Sequence, residues 1–346
     1  MRAALYESFQ GPITIQQLPD PKPDPNGVIL EVLATGMCRS DWHGWMGHDP
    51  DIKLPHVPGH EIAGRVVEVG KFVKLFKVDD RVTLPFVCGC GTCPQCHSGN
   101  HQVCDHQSQP GFTHWGSFAE LVRIDYADIN LVKLPDHIDN VTAASLGCRF
   151  ITAFRAVVDQ GGIKAGETVA VHGCGGVGLS AIMIAKAKGA QVVAIDVNSR
   201  TLELAKELGA DFCVNSSKTK LVVDAVKDLT VGGVALSIDA LGSSETAMNS
   251  INSLAKRGKH IQVGLMTGDH RNLAVPMDKI LAHELEIKGS HGMQAFRYTE
   301  VFKLIEQGLL TPGRLINETI NLDQAVEILP RMNTSDHSGI LVINSF

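Results

Sequence analysis

A glycine triplet at a strand-to-helix junction constrains this chain more than any other feature. Gly173, Gly175 and Gly178 form G-x-G-x-x-G directly after the apolar run TVAVH and directly before a helical stretch from about Val177 to Lys188. In that setting the first glycine permits a tight turn, the second lets a pyrophosphate approach the backbone, and the third packs helix on strand. The helix start, with Gly176 and Val177, offers N–H donors and the positive end of a dipole. Asp196 closes the next strand, VVAID, 23 positions after Gly173. A carboxylate there suits a ribose 2′-hydroxyl and repels a 2′-phosphate, so NAD is favoured over NADP, with Arg200 nearby keeping NADP open.

The surrounding texture agrees with that reading. From about Ile151 onward the strands TVAVH, VVAID, FCVN, ALSID, HIQVG and LEIKG are separated by helical stretches. Six short apolar strands with intervening helices are what a doubly wound parallel sheet requires. Upstream, to about Cys148, the chain reads as short strands broken by turn residues, among them AALYE, GVILEVLATG, EIAGRVVEVG and FAELVRI. That pattern predicts a compact, barrel-like β domain. The last stretch carries two amphipathic helices, TEVFKLIEQG and LDQAVEIL, and a terminal strand GILVINSF that can close back on the first domain. A length of 346 residues suits about two domains. We expect residues 1–149 with 290–346 to form one and 150–289 the other.

Composition narrows the partners. Thirty-one Lys and Arg stand against 37 Asp and Glu, a formal charge of −6, with no long basic run, which argues against nucleic acid. No stretch approaches the ~20 apolar residues of a membrane span, and Glu7 and Gln10 interrupt any leader-like apolar core. The expectation is a cytoplasmic protein with neither a membrane nor a nucleic-acid partner.

Nine cysteines are many for a reducing compartment, so their distribution decides their meaning. Cys90, Cys93, Cys96 and Cys104 give C-x2-C-x2-C-x7-C in the loop CGTCPQCHSGNHQVC. Four thiolates so spaced can close a tetrahedral shell around zinc with no open position, the mark of a structural site. Cys88 is a fifth candidate, but it lies before the spaced quartet, and a free thiol is the stronger reading. A second set is dispersed: Cys38 in CRSDWH, His60 and Glu61 in PGHEIAG, and Cys148 just before the nucleotide-binding half. A Cys/His/Cys set can hold zinc and leave one position open for chemistry.

Taken in order, GMCRSDWHG, PGHEIAG, CGCGTCPQC, LGCRFITAFRA, HGCGGVGL and VVAIDVNSR resemble the zinc-dependent medium-chain alcohol dehydrogenases over essentially the whole chain. The resemblance implies a β-rich GroES-like catalytic domain joined to a Rossmann doubly wound six-stranded parallel sheet. It implies NAD and two zinc ions per chain, a catalytic one on Cys38, His60 and Cys148 and a structural one on Cys90, Cys93, Cys96 and Cys104. Glu61 matches the acid that can take a ligand place transiently. Asp41 matches the acid that orients His60, Ser40 the hydroxyl that accepts the alcohol proton, and His43 the base that relays it. Arg39 resembles the residue that grips the pyrophosphate. Thr152, and the stretch from Val263 to Leu265, resemble residues flanking the nicotinamide.

The implied reaction is reversible oxidation of primary or secondary alcohols to aldehydes or ketones. Phe86 matches a wall of the substrate pocket, and Trp42, Trp45 and Trp115 are aromatic candidates for the same surface; any of the four can instead be core, and for at least one that is the stronger reading. A polyol or sugar dehydrogenase of the same fold is the alternative, although such enzymes usually carry an acid at the Cys148 position. The short stretch between Cys104 and Ser117 resembles the tetrameric microbial type, so a homotetramer is expected. Arg149 departs from the small residue that many family members place after the zinc cysteine, and its guanidinium bears on the pocket or on an interface.

Overall fold

A computed structural model describes residues 1–333 and 339–346. The described chain forms two compact units, Met1–Ile151 with Gly292–Phe346, and Thr152–His291. Its strands are, in chain order, β1 (Arg2–Tyr6), β2 (Ile13–Gln17), β3 (Val28–Met37), β4 (Glu61–Val69), β5 (Arg81–Thr83), β6 (Leu121–Ile124) and β7 (Val132–Lys133). They continue as β8 (Thr168–His172), β9 (Gln191–Asp196), β10 (Phe212–Asn215), β11 (Val234–Asp239), β12 (Leu254–Gln262), β13 (Glu286–Gly289), β14 (Ile316–Asn321) and β15 (Ile340–Ser345).

In the first unit the main sheet runs β14-β15-β3-β4-β5-β7, with β6 also pairing with β3. All these ladders are antiparallel except β14 with β15. The long strand β3 is buried along most of its length, and its apolar side chains Val28, Leu30 and Val32 pack with Ile62, Val66, Val82 and Leu84. The terminal strand β15 returns to this unit because its run ILVI is buried, and it pairs Leu341 with Met37. That pairing fixes the end of β3 immediately before Cys38. Helix Arg39–Trp45 begins there, with Cys38 at its N-cap and Asp41 accepting the Cys38 backbone N–H at 2.8 Å. An acceptor at the third helical position satisfies an N–H that the helix start would otherwise leave free.

In the second unit six strands run β10-β9-β8-β11-β12-β13, and every neighbouring pair is parallel. This is the doubly wound order, in which the chain reverses direction across the sheet between β8 and β11 and ligands sit at the carboxyl ends of those strands. Parallel strands are covered on both faces, and the middle residues of β8 and β9 are accordingly buried Val, Ala and Ile. Helix Gly176–Ala187 follows β8 and is buried through Gly178–Ala185.

Candidate functional site: a Cys/His/Cys centre, a cysteine lobe and a glycine loop

Four donors from three separate segments meet in the first unit. Cys38, His60, Glu61 and Cys148 each offer one ligand atom, and those atoms lie within 4.8 Å of one another. Cys38 stands at the junction of β3 and helix Arg39–Trp45, His60 just before β4, and Cys148 inside a π-helical turn, Leu146–Phe150. Such wide turns insert an extra residue per turn and recur at functional sites because they re-aim a side chain. Gly147 permits the close approach here, since a Cβ on it would press on the Glu61 backbone at 3.0 Å.

His60 is fully buried. Its Nδ1 is 2.9 Å from Asp41 Oδ1, while its Nε2 has no hydrogen-bond partner among the described residues. A buried ring nitrogen without a partner is costly unless something binds it. Two sulfurs and one imidazole nitrogen, with the other imidazole nitrogen fixed by a carboxylate, fit zinc by donor type and by the bracing around them. The electrostatics agree. The Cys148 thiol hydrogen-bonds to Cys38, holding Cys38 well below the ordinary thiol range and raising Cys148 well above it; the Arg149 charge also favours the Cys38 thiolate. Burial pushes the His60 imidazole down, and the Asp41 carboxylate together with Cys38 more than offsets it, so its pKa is raised well above the ordinary value.

Glu61 lies among these donors but is committed elsewhere. Its Oε1 accepts from Arg149 Nε at 3.0 Å and from the Arg149 backbone N–H at 3.3 Å, and its Oε2 accepts from Arg149 Nη2 at 2.6 Å. Burial pushes the Glu61 carboxyl up, and the Arg149 charge pulls against that shift. The sequence reading of Glu61 as a transient ligand thus meets a fork of donors already holding both its oxygens, and Arg149 has its place at this centre.

Around the centre, Ser40 Oγ is 3.7 Å from the Cys38 sulfur. His43 Nδ1 is 2.9 Å from Nδ1 of His48, a histidine the sequence did not single out. Arg39 donates from Nη2 to Asn333 Oδ1 at 2.6 Å and lies over the Trp42 ring. Phe86 meets the His60 ring edge-on with centroids 6.1 Å apart, and Phe112 lies closer, at 5.0 Å. Phe112 was not anticipated. It sits in the run FTHWGSF, three residues before Trp115, the aromatic residue of that run named from the sequence. Trp115 donates its indole N–H to Pro55 O and lines, with Phe112, Leu54 and Leu121, a cavity of about 470 Å³. Trp42 and Trp45 are core residues packed with Tyr6 and Phe118.

The second cluster of donors is local in sequence. Cys90, Cys93, Cys96 and Cys104 place their sulfurs within 4.8 Å of one another, all buried. Backbone N–H groups of Cys90 and His106 point at the Cys104 sulfur at 3.2 and 3.3 Å, and that of Cys96 at the Cys93 sulfur at 3.5 Å. N–H donors aimed at sulfur favour the thiolate that a metal requires, although at Cys104 burial outweighs them and the thiol is raised. Burial opposes ionisation of Cys90, but hydrogen bonds from Thr92 and its neighbours outweigh it and bring the thiol down to about 6. Cys88 is separate from the four, buried in the apolar core beside Leu84 and Val122, where burial pushes its thiol up.

In the second unit the glycine loop fits a dinucleotide phosphate. Gly173 has φ +89°, a value that favours glycine, and a Cβ on Gly178 would collide with the Gly173 carbonyl. A Cβ on Gly175 would meet nothing within 4 Å, so that side of the loop is open, and no side chain caps the helix that Gly175 starts. Asp196 ends β9 beside this loop, its Oδ2 accepting from Cys174 N at 2.7 Å and its Oδ1 from Asn198 N at 2.9 Å. Arg200 is exposed at the start of helix Ser199–Glu207. Val263 N–H is bonded to Asp239 O, Leu265 is exposed, and Thr152 Oγ1 is buried without a partner.

Known proteins with these features are numerous. The zinc-binding dehydrogenase profile matches residues 176–307, and the alcohol dehydrogenase GroES-like domain profile matches residues 24–136. An alcohol dehydrogenase of Geobacillus stearothermophilus is 34% identical over 99% of this chain and 98% of its own length. An NAD-dependent alcohol dehydrogenase of Sulfurisphaera tokodaii is 33% identical over 99% of both chains. Among solved structures, the alcohol dehydrogenase TADH of Thermus sp. ATN1 superposes with a TM-score of 0.91 at 27% identity over the full length of both chains. With its two units, its two donor clusters and its glycine loop, the chain belongs to the zinc-dependent medium-chain alcohol dehydrogenases.

Proposed function

We propose that this alcohol dehydrogenase uses NAD in preference to NADP and holds two zinc ions per chain. Cys38, His60 and Cys148 would hold the catalytic one, and Cys90, Cys93, Cys96 and Cys104 the structural one. The observation that carries the first assignment is the buried, unpartnered Nε2 of His60 among the donor atoms of Cys38, Cys148 and Glu61. The NAD preference is supported by the Asp196 carboxylate beside the glycine loop.

When bound, zinc supplies a Lewis acid that acidifies an alcohol or polarises a carbonyl, and the nicotinamide supplies the hydride acceptor. The chain's own residues arrange everything else. Asp41 fixes the His60 ring by holding Nδ1, so that Nε2 points at the centre. Ser40 presents its hydroxyl next to Cys38 and takes the substrate proton, and His43 passes it outward, with His48 within hydrogen-bond distance of its ring. Burial, the Arg39 charge and the His48 charge all lower the His43 pKa, which keeps the ring neutral and able to accept a proton. Arg39 is the candidate for the cofactor pyrophosphate, Thr152 and Val263 to Leu265 for the nicotinamide, and Gly173 to Gly178 for the phosphates.

Phe86 and Phe112 line His60 with aromatic carbon, which supports simple aliphatic or aromatic alcohols over polyols. A cytoplasmic homotetramer is part of the same proposal; nine unpaired cysteines, eight of them buried or half-buried, suit a reducing compartment. The test is elemental analysis for zinc together with NAD reduction across primary, secondary, aromatic and polyol substrates. About two zinc ions per chain and turnover of simple alcohols are expected. About one zinc ion and no turnover overturns the proposal.

A further inference from the structure

We propose that Arg149 is a positioning residue that withholds the Glu61 carboxylate from the metal centre and so keeps the fourth coordination position for substrate. The inference rests on Cys38, His60 and Cys148 being the catalytic zinc ligands, and it adds what decides whether Glu61 becomes a fourth.

The centre has one protein donor more than a working site needs. A Glu61 oxygen lies within 4.8 Å of the Cys38, His60 and Cys148 donor atoms, close enough for a small side-chain movement to bring it to a shared ion. Four protein ligands would close a tetrahedral shell and leave nothing for an alcohol oxygen. Arg149 opposes that movement in three ways. Its side chain grips both Glu61 oxygens from Nε and Nη2, and its backbone N–H adds a third contact to Oε1. Planar two-point recognition of a carboxylate is specific to guanidinium and is stronger than neutral hydrogen bonding. The grip is dry, with side-chain exposure of 0% for Glu61 and 8% for Arg149, so water cannot take over the bonds if the carboxylate leaves.

The cradle around the carboxylate completes the clamp. A Cβ on Gly36 would overlap Glu61 Oε2, and Gly147 lies against the Glu61 backbone. The glycine on β3 thus makes room for the carboxylate in its Arg149-bound position. Charge points the same way. Two thiolates and the buried carboxylates of Glu61 and Asp41 exceed the charge of a divalent ion by two, and the guanidinium offsets one of those negative charges within the same buried volume.

The experiment uses the full-length enzyme with cobalt(II) replacing the catalytic zinc, and titrates its visible absorption with imidazole as an exogenous metal ligand. In Arg149→Met the carboxylate is released and occupies the metal, so the apparent Kd for imidazole should rise by about tenfold or more. In the double variant Glu61→Gln/Arg149→Met the competing carboxylate is gone, and imidazole affinity should return to within about threefold of the wild type. Wild-type affinity in Arg149→Met overturns the proposal, and so does a weakening that persists unchanged in the double variant. Should Arg149→Met fail to fold, Arg149→Lys keeps the charge without the fork and should weaken imidazole by about threefold, reversed by Glu61→Gln; no change in Arg149→Lys overturns it. Wild-type protein that shows no cobalt band sensitive to Cys148→Ser instead refutes the metal-site assignment, and the clamp falls with it.

Discussion

One carboxylate ties His60 to Cys38. Asp41 Oδ1 lies 2.9 Å from His60 Nδ1 and accepts the Gly59 N–H at 3.0 Å, while Oδ2 accepts the Cys38 backbone N–H at 2.8 Å. Two candidate ligands far apart in sequence are therefore held by a single buried side chain. Replacing Asp41 with Asn removes the charge that orients the imidazole and raises its basicity. We expect about 10- to 100-fold weaker binding of one zinc ion of the two, with the other unaffected. Competition with a chromophoric chelator checks this, and release of both ions at wild-type rates would count against the role of Asp41.

The contact between His43 and His48 leads to a second expectation. His43 is half-buried on helix Arg39–Trp45, with the Trp42 ring edge-on to it and Arg39 and His48 repelling a positive charge on its ring. Its pKa is lowered, so the neutral ring, the form able to accept a proton, predominates above that value and is lost below it. In the wild type, kcat/KM for alcohol oxidation should therefore rise with pH through a value below the ordinary histidine range. His43→Gln should lower the rate near neutral pH by about tenfold or more and abolish that rise. His48→Gln should give a smaller fall, because His43 retains its own proton-accepting nitrogen. A His43→Gln profile parallel to the wild type at every pH would remove His43 from the proton path.

How far the sequence led depends on the range of each interaction. The glycine loop and the four-cysteine lobe are encoded by residues within a few positions of one another, so both could be read before the fold was known. The six-stranded sheet was legible for the same reason, since runs such as VVAID and ALSID are short, apolar and bounded by helices. The Arg149–Glu61 fork joins positions 88 apart; the sequence marked Arg149 as unusual but could not say which group it faces. Phe112 against His60 depends on which side of a turn-rich loop faces inward, and FTHWGSF has no periodicity to decide it. His48 escaped attention because its partnership with His43 depends on the turn that ends helix Arg39–Trp45.

Asp196 provides a third test. Its carboxylate caps the glycine loop through Cys174 N and the following turn through Asn198 N, so it does structural work as well as being the proposed partner of the ribose. Asp196→Ala removes the acid that disfavours a 2′-phosphate, and Arg200 nearby can then attract one. The ratio of kcat/KM for NAD to that for NADP should fall by about tenfold or more. Part of the loss in NAD efficiency should arise from the loosened loop, so Asp196→Asn, which retains the acceptor oxygen, should keep more NAD activity than Asp196→Ala. An unchanged cofactor ratio in both variants would assign ribose recognition to another residue.

The last residue of β8 makes acid stability measurable at one position. His172, directly before Gly173, is 1% exposed, with Nε2 unpartnered. Burial, reinforced by the charge of His260, lowers its pKa to about 3. The unfolded chain binds a proton at this side chain near the ordinary value of 6.5, whereas the folded chain resists until about pH 3. Between those values the unfolded state holds more protons, so the contribution of a neutral His172 is intact above pH 6.5 and is lost as pH falls toward 3. His172→Leu removes the titration while keeping an apolar side chain in the strand. Its loss of unfolding free energy between about pH 7 and 4.5 should be smaller than that of the wild type by roughly 2 kcal/mol. Acid release of zinc is common to both proteins and cancels in the comparison, as does the titration of His56, whose pKa burial lowers to about 4. Urea unfolding at the two pH values gives the difference directly, and equal losses in the two proteins would show that His172 takes up its proton as readily in the folded chain as in the unfolded one.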